Sequence, residues 1–114
     1  MSTELAMNTY VLLGNTFHYL LNRGAAVAEE RLGAGPGALS DLNQRIEPLP
    51  PTTILEGIAA LSVPERDLLA RSVRLCLSTL SAEATVNLLG LPHHVAHKTL
   101  AELGLDEPAA SAQA

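Results

Sequence analysis

Residues 5–32 read LAMNTYVLLGNTFHYLLNRGAAVAEERL, and the spacing of their apolar and small side chains decides the fold class. Ala6, Tyr10, Leu13, Phe17, Leu20, Gly24 and Val27 recur at intervals that alternate between four and three residues. That is the 3.5-residue period that keeps one helical stripe facing a partner. The stretch therefore predicts a long helix over 5–33. A chain this small has little other material to cover such a stripe, so a second copy is the expected partner, with Tyr10, Leu13, Phe17, Leu20 and Val27 as dimerisation residues. Leu12 and Leu21 add apolar surface outside the stripe. Packing of this helix wholly within its own chain is the alternative.

The composition agrees with helices. Apolar residues make up 47% of the 114 and aromatic residues only 3%, so the core is built from Leu, Ala and Val, whereas strands favour β-branched and aromatic types. A chain of this length forms one domain with one core. The net charge of −5 argues against coating nucleic acid or membranes by bulk charge, although a local basic surface remains open. One cysteine excludes an intrachain disulfide framework, which points to the cell interior. The longest strongly apolar run, Tyr10–Leu13, is far shorter than the roughly 20 residues of a membrane span. No basic region precedes a signal-like segment, so the expected location is the cytoplasm.

Further along, Gly33–Gly37 reads GAGPG. A helix precedes it and Pro36 interrupts it, so it is a helix stop and not a phosphate loop, which needs a preceding strand and a following helix with a fixed Lys or glycine. Residues 34–53 form a Gly/Pro-rich connector holding a short helical candidate, Ser40–Ile46, before the prolines at 48, 50 and 51 impose extended chain. Thr53 and Glu56 have capping-box spacing, as do Ser62 and Glu65 with Pro64 between them. They begin a short helix to about Leu61 and a longer one to about Leu80. Ser81 caps the next helix, Gly90 stops it, Pro92 opens another and Gly104 ends it. The expectation is a single all-α domain over 1–105: a dimerisation helix at 5–33, the connector at 34–53 and a helical core at 54–105. A flexible tail is expected at 106–114.

Within that core, 81–104 has the layout of a helix-turn-helix. Ala84 is small where a second helix would cross, Gly90 marks the turn, and Val95 and Leu100 face inward. The outward face of the second helix then carries His93, His94, His97 and Lys98, and only Lys98 is certainly charged at neutral pH. Arg71 and Arg74 on the preceding helix join them as DNA-contact candidates. From Ile58 to Leu105 the cations Arg66, Arg71, Arg74 and Lys98 are balanced by Glu65, Asp67, Glu83 and Glu102. A neutral hairpin needs help to hold DNA, because phosphate neutralisation supplies most of the affinity. His93 and His97 have the spacing at which two imidazoles share a metal, but two further ligands are lacking, so no metal is expected. Cys76 lies on an apolar stripe and reads as a small buried hydrophobe, with an interchain thiol as the alternative. No nucleophile elbow, paired carboxylates or phosphate loop gives catalysis a foothold, so no enzyme, cofactor or small-molecule substrate is expected.

Several stretches resemble the FlhD family of flagellar transcriptional activator subunits. Ile58–Pro64 reads IAALSVP, followed by the Leu69-Ala70 pair and Leu75-Cys76. Near the start stand Asn15, Tyr19-Leu20-Leu21 and Arg23, then Arg31-Leu32-Gly33. A looser similarity, from Leu61–Arg66 to Leu103–Leu105, is to the helix-turn-helix domains of response regulators and sigma factors. The first resemblance implies an all-helical homodimer that activates transcription of flagellar genes from promoter DNA, in complex with a zinc-containing FlhC-like subunit that supplies much of the DNA affinity. The alternative function is a non-catalytic helical adaptor or chaperone-like module that binds protein through its Leu-rich faces and makes no contact with DNA.

Overall fold

The computed structural model describes residues 2–105; the tail expected at 106–114 lies outside them. Six helices follow one another: α1 (Ser2–Leu32), α2 (Ala38–Ile46), α3 (Ile54–Ala59), α4 (Val63–Thr79), α5 (Ala82–Leu89) and α6 (His93–Glu102). No strand occurs among the described residues.

The first helix is the centre of the molecule. Each of the other five helices packs on α1, with α4 and α2 making the broadest contacts. Its buried face is Thr9, Leu12, Leu13, Thr16, Phe17 and Leu20, continued by Ala28, Glu29 and Leu32. This corrects the expected dimer stripe. Leu13 and Phe17 are fully buried and Leu20 is 5% exposed within one chain, so their apolar surface is already covered by α1's own neighbours. The 3.5-residue period also does not persist. Gly24 leaves the helical region at φ 118°, ψ 96° and kinks α1, a conformation open to glycine at little cost. A straight helix of 31 residues would run about 46 Å, longer than the 36 Å long axis of the whole molecule.

Side chains and glycines close the helix ends. At the end of α1, Gly33 turns left-handed, its N–H donating to the Glu30 carbonyl and that of Ala34 to Glu29, the Schellman arrangement. The same arrangement ends α6 at Gly104, where Leu105 N–H donates to the Leu100 carbonyl. Gly37 precedes α2 and has no side chain to cap it; the buried Glu29 carboxylate of α1 does so instead, accepting from Leu39 N–H at 3.0 Å. The capping box at Ser62–Glu65 forms in both directions. Its backbone bond from Ser62, ahead of the neighbouring Arg45 guanidinium at 2.9 Å, holds the Glu65 carboxyl below the usual range. The box expected at Thr53–Glu56 does not form. Thr53 N–H donates to the Pro50 carbonyl in a turn that leaves Thr53 at ψ 3°, not the extended conformation from which a cap side chain reaches the helix.

Because Phe17 sits in the core of a single chain, Phe17→Ala is expected to remove about 3–5 kcal/mol of unfolding free energy. The measurement is urea denaturation at a concentration dilute enough to keep the chain monomeric. A loss below about 1 kcal/mol would place Phe17 outside the intrachain core.

Candidate nucleic-acid interface

Helices α5 and α6 form a hairpin whose turn is seated on α1. Ser81 Oγ accepts from Ala84 N–H at 3.1 Å to start α5, and Gly90 ends it at φ 83°. A Cβ on Gly90 would lie 2.8 Å from a Val11 methyl of α1, so that position excludes side chains on two grounds. One turn further along α1, Asn15 donates its side-chain N–H to the Leu89 carbonyl at 3.1 Å, satisfying a helix-end acceptor that α5 cannot reach itself. Inward-facing Thr85, Leu89, Leu91, Ala96, Thr99 and Leu100 are buried. The two threonine hydroxyls stay satisfied by donating to the Ser81 and Val95 carbonyls, both at 2.8 Å.

The outward face of α6 carries His94, His97 and Lys98, all exposed, as the hairpin layout predicts. His93 is only half-buried against the turn. Its Nε2 has no partner, and its ring meets that of His97 edge-on, 6.3 Å between centroids. Among the described residues, no group of three or more His, Cys, Asp or Glu gathers there to hold a metal. Lys98 is the only Lys or Arg of the hairpin, which also carries Glu83 and Glu102.

Arg71 and Arg74 do not join this face. Arg71 donates to the Leu32 carbonyl at the end of α1 and pairs with Asp67 at 2.9 Å, while Arg74 donates to the Leu105 carbonyl just beyond α6 at 3.1 Å. Both point from α4 at helix C-termini, where a guanidinium neutralises unpaired carbonyls and the negative end of the helix dipole. Both therefore serve as latches within the chain, although the Arg71 side chain stays 39% exposed. Sequence spacing could not show this, because three residues apart on a helix is equally the spacing of an exposed basic pair. The packing roles of Asn15, Val11 and Glu29 leave no signal in the sequence, since they lie in contacts with elements further along the chain.

The expected dimerisation residues divide. Tyr10 is 43% exposed and Val27 60% exposed, whereas Leu13, Phe17 and Leu20 face the core. Cys76 is fully buried on α4, and burial pushes its thiol up to about 12. The alternative of an interchain thiol is therefore corrected: a disulfide needs an accessible thiolate, and Cys76 supplies neither access nor charge.

The Cys76 proton is held more tightly in the folded chain than in the unfolded one. Its contribution to stability is complete below the ordinary value of 9.0 and is lost as pH rises from there towards about 12. A thiol reagent at about pH 8 is expected to leave the native protein untouched and to label one site in urea. Cys76→Ala is expected to flatten the alkaline loss of stability. Rapid labelling of native protein would overturn this account.

Comparison of the chain with protein-family models, with curated proteins and with solved structures finds no match.

Proposed function

We propose that the protein is a non-catalytic, cytoplasmic transcription regulator of the FlhD type, whose α5–turn–α6 hairpin touches promoter DNA inside a complex with a zinc-containing, FlhC-like subunit. One observation carries the reading. The hairpin is fixed to α1 through Gly90 and Asn15, while His94, His97 and Lys98 on its outer side are exposed and form no hydrogen bond or ion pair within the described residues. A rigid helix presenting short polar donors and a cation suits the major groove. With Arg71 and Arg74 committed to carbonyls, the hairpin has one full positive charge to offer phosphates, and it balances badly against Glu83 and Glu102. Most of the electrostatic affinity then comes from the partner, which is also what the FlhD resemblance of Ile58–Pro64 and Arg31–Gly33 implies.

A second reading rests on a different observation. Val86 and Leu88 on α5 are 47% and 44% exposed, two apolar positions on the hairpin itself that suit an adaptor docking on protein.

The two readings separate in one assay. In a promoter-bound complex, His97→Ala with Lys98→Ala is expected to weaken DNA binding and to lower the salt dependence by about one phosphate contact, with helicity unchanged. If the double variant binds DNA with an unaltered salt slope, and Val86→Ser with Leu88→Ser alone disrupts the complex, the adaptor reading replaces the regulator.

A further inference from the structure

The chain has seven Lys and Arg side chains, and most have a task within the fold. Arg45 pairs with Glu65, Arg71 with Asp67 and the Leu32 carbonyl, and Arg74 with the Leu105 carbonyl. Lys98 stands on the hairpin and Arg66 is half-buried. Arg23 and Arg31 are left exposed, and neither guanidinium makes an ion pair or a hydrogen bond among the described residues. Both line one pocket of about 330 Å³, between the second half of α1 and the end of α4. No Asp or Glu lines it, although the chain carries a net charge of −5.

Neither arginine is explained by its own helix. Arg31 lies in the last turn of α1, where a cation ordinarily serves the helix end. That end is already served: the Glu29, Glu30 and Leu32 carbonyls accept from Ala34 N–H, Gly33 N–H and the Arg71 guanidinium. Arg23 rests over the Tyr19 ring, 5.0 Å from its centroid, a contact that holds a guanidinium by its face and leaves the N–H donors at its edge free. The remainder of the pocket is mostly apolar. Leu20, Ala28 and Cys76 are buried and form its floor, and the protonated Cys76 thiol brings no charge. Val27 stands at the rim, 60% exposed. Gly24 is part of the wall, so the bend that folds α1 back onto the core also shapes this cavity.

Two guanidiniums without partners above an uncharged floor select an amphipathic anion. The guanidinium fork matches a carboxylate or a phosphate, while an apolar body gains by covering Val27 and the floor. A phosphodiester backbone meets only the first condition and a neutral apolar molecule only the second. Ligand sites begin at roughly 300 Å³, so a cavity of this size limits the body to a short chain or a single ring. We infer that the pocket between α1 and α4 binds a small organic acid, a carboxylate or phosphate on a short apolar body, with Arg23 and Arg31 holding the anionic head and Val27 and Leu75 against the body. The inference does not depend on the hairpin touching DNA.

The test is a titration of the full chain, followed by the NMR signals of its methyl groups, with octanoate and with octyl phosphate below their micelle concentrations. Octylamine and inorganic phosphate are the parallel probes. At least one octyl anion is expected to bind saturably and to shift the methyls of Leu20, Val27, Ala28 and Leu75, leaving Val11, Ile46 and Ile54 of the groove between α1 and the α2–α3 segment unmoved. Which of the two binds more tightly identifies the head group. Octylamine and inorganic phosphate are expected to bind at least about tenfold more weakly. Arg23→Gln and Arg31→Gln are each expected to raise the dissociation constant at least about fivefold, while Arg45→Gln, outside the pocket, leaves it unchanged. All three positions are exposed, so far-UV circular dichroism is expected to stay native. Absence of saturable binding by either octyl anion, equal binding of octylamine or of inorganic phosphate, shifts confined to the other groove, or indifference to both pocket substitutions would each overturn the proposal.

Discussion

The burial of one broad face of α1 is the contact on which the remaining five helices depend. Leu12, Leu13 and Phe17 have no exposed surface, and α2 through α6 each rest on that helix. With a single Phe and no Trp, the core gains little from large rings and relies on many aliphatic contacts gathered about one axis. Two threonines are drawn into the same face. Thr9 donates its hydroxyl to the Leu5 carbonyl at 2.7 Å and so enters the core without leaving a polar group bare. The kink at Gly24 then turns the last part of α1, so that Ala28 and Leu32 join the same core instead of projecting past it.

Around this axis, charged and amide side chains are used to close helices. Glu29 caps the start of α2, Arg71 the end of α1, Asn15 the end of α5, and Arg74 the carbonyl that follows α6. Each joins an orphan backbone group of one helix to a side chain from another, so secondary structure and tertiary packing are formed by the same bonds. The consequence for recognition is direct. Each of these two guanidiniums spends part of its donor set on a helix end, and the hairpin itself carries Lys98 against Glu83 and Glu102.

What the sequence disclosed follows from the range of each interaction. Local rules located the Ser62–Glu65 box, the Ser81 cap and the Gly33, Gly90 and Gly104 stops, because those signals lie within a few residues of the structure they cause; they did not show that α2, inside the expected connector, buries Leu39, Leu42 and Ile46 in the core, or that turns occupy 47–48 and 51–53 where extended chain was expected. The exposed His94, His97 and Lys98 followed from helical periodicity alone. Thr53 failed because a turn begun at Pro50 fixed its backbone first. The stripe on α1 failed for a different reason. A 3.5-residue period and a broad 3.6-residue face share Leu13, Phe17 and Leu20, and only the inclusion of Thr9, Leu12 and Thr16 separates them. Threonine is polar by type, so its burial is not legible from the sequence: the Thr9 hydroxyl bonds within its own helix, whereas that of Thr16 is buried with no partner among the described residues. Arg71, Arg74, Asn15 and Glu29 act on groups between ten and 74 residues away, a range over which spacing carries no signal.

The hairpin and the pocket beside Gly24 are mechanically joined. Val11 and Asn15 seat the turn of the hairpin, and Tyr19, which lines the pocket, stands one turn beyond Asn15 on the same helix. No linker separates them. A regular helix deforms little over one turn compared with a loop, so whatever fills the space between α1 and α4 bears on the helix that also fixes the direction of α6.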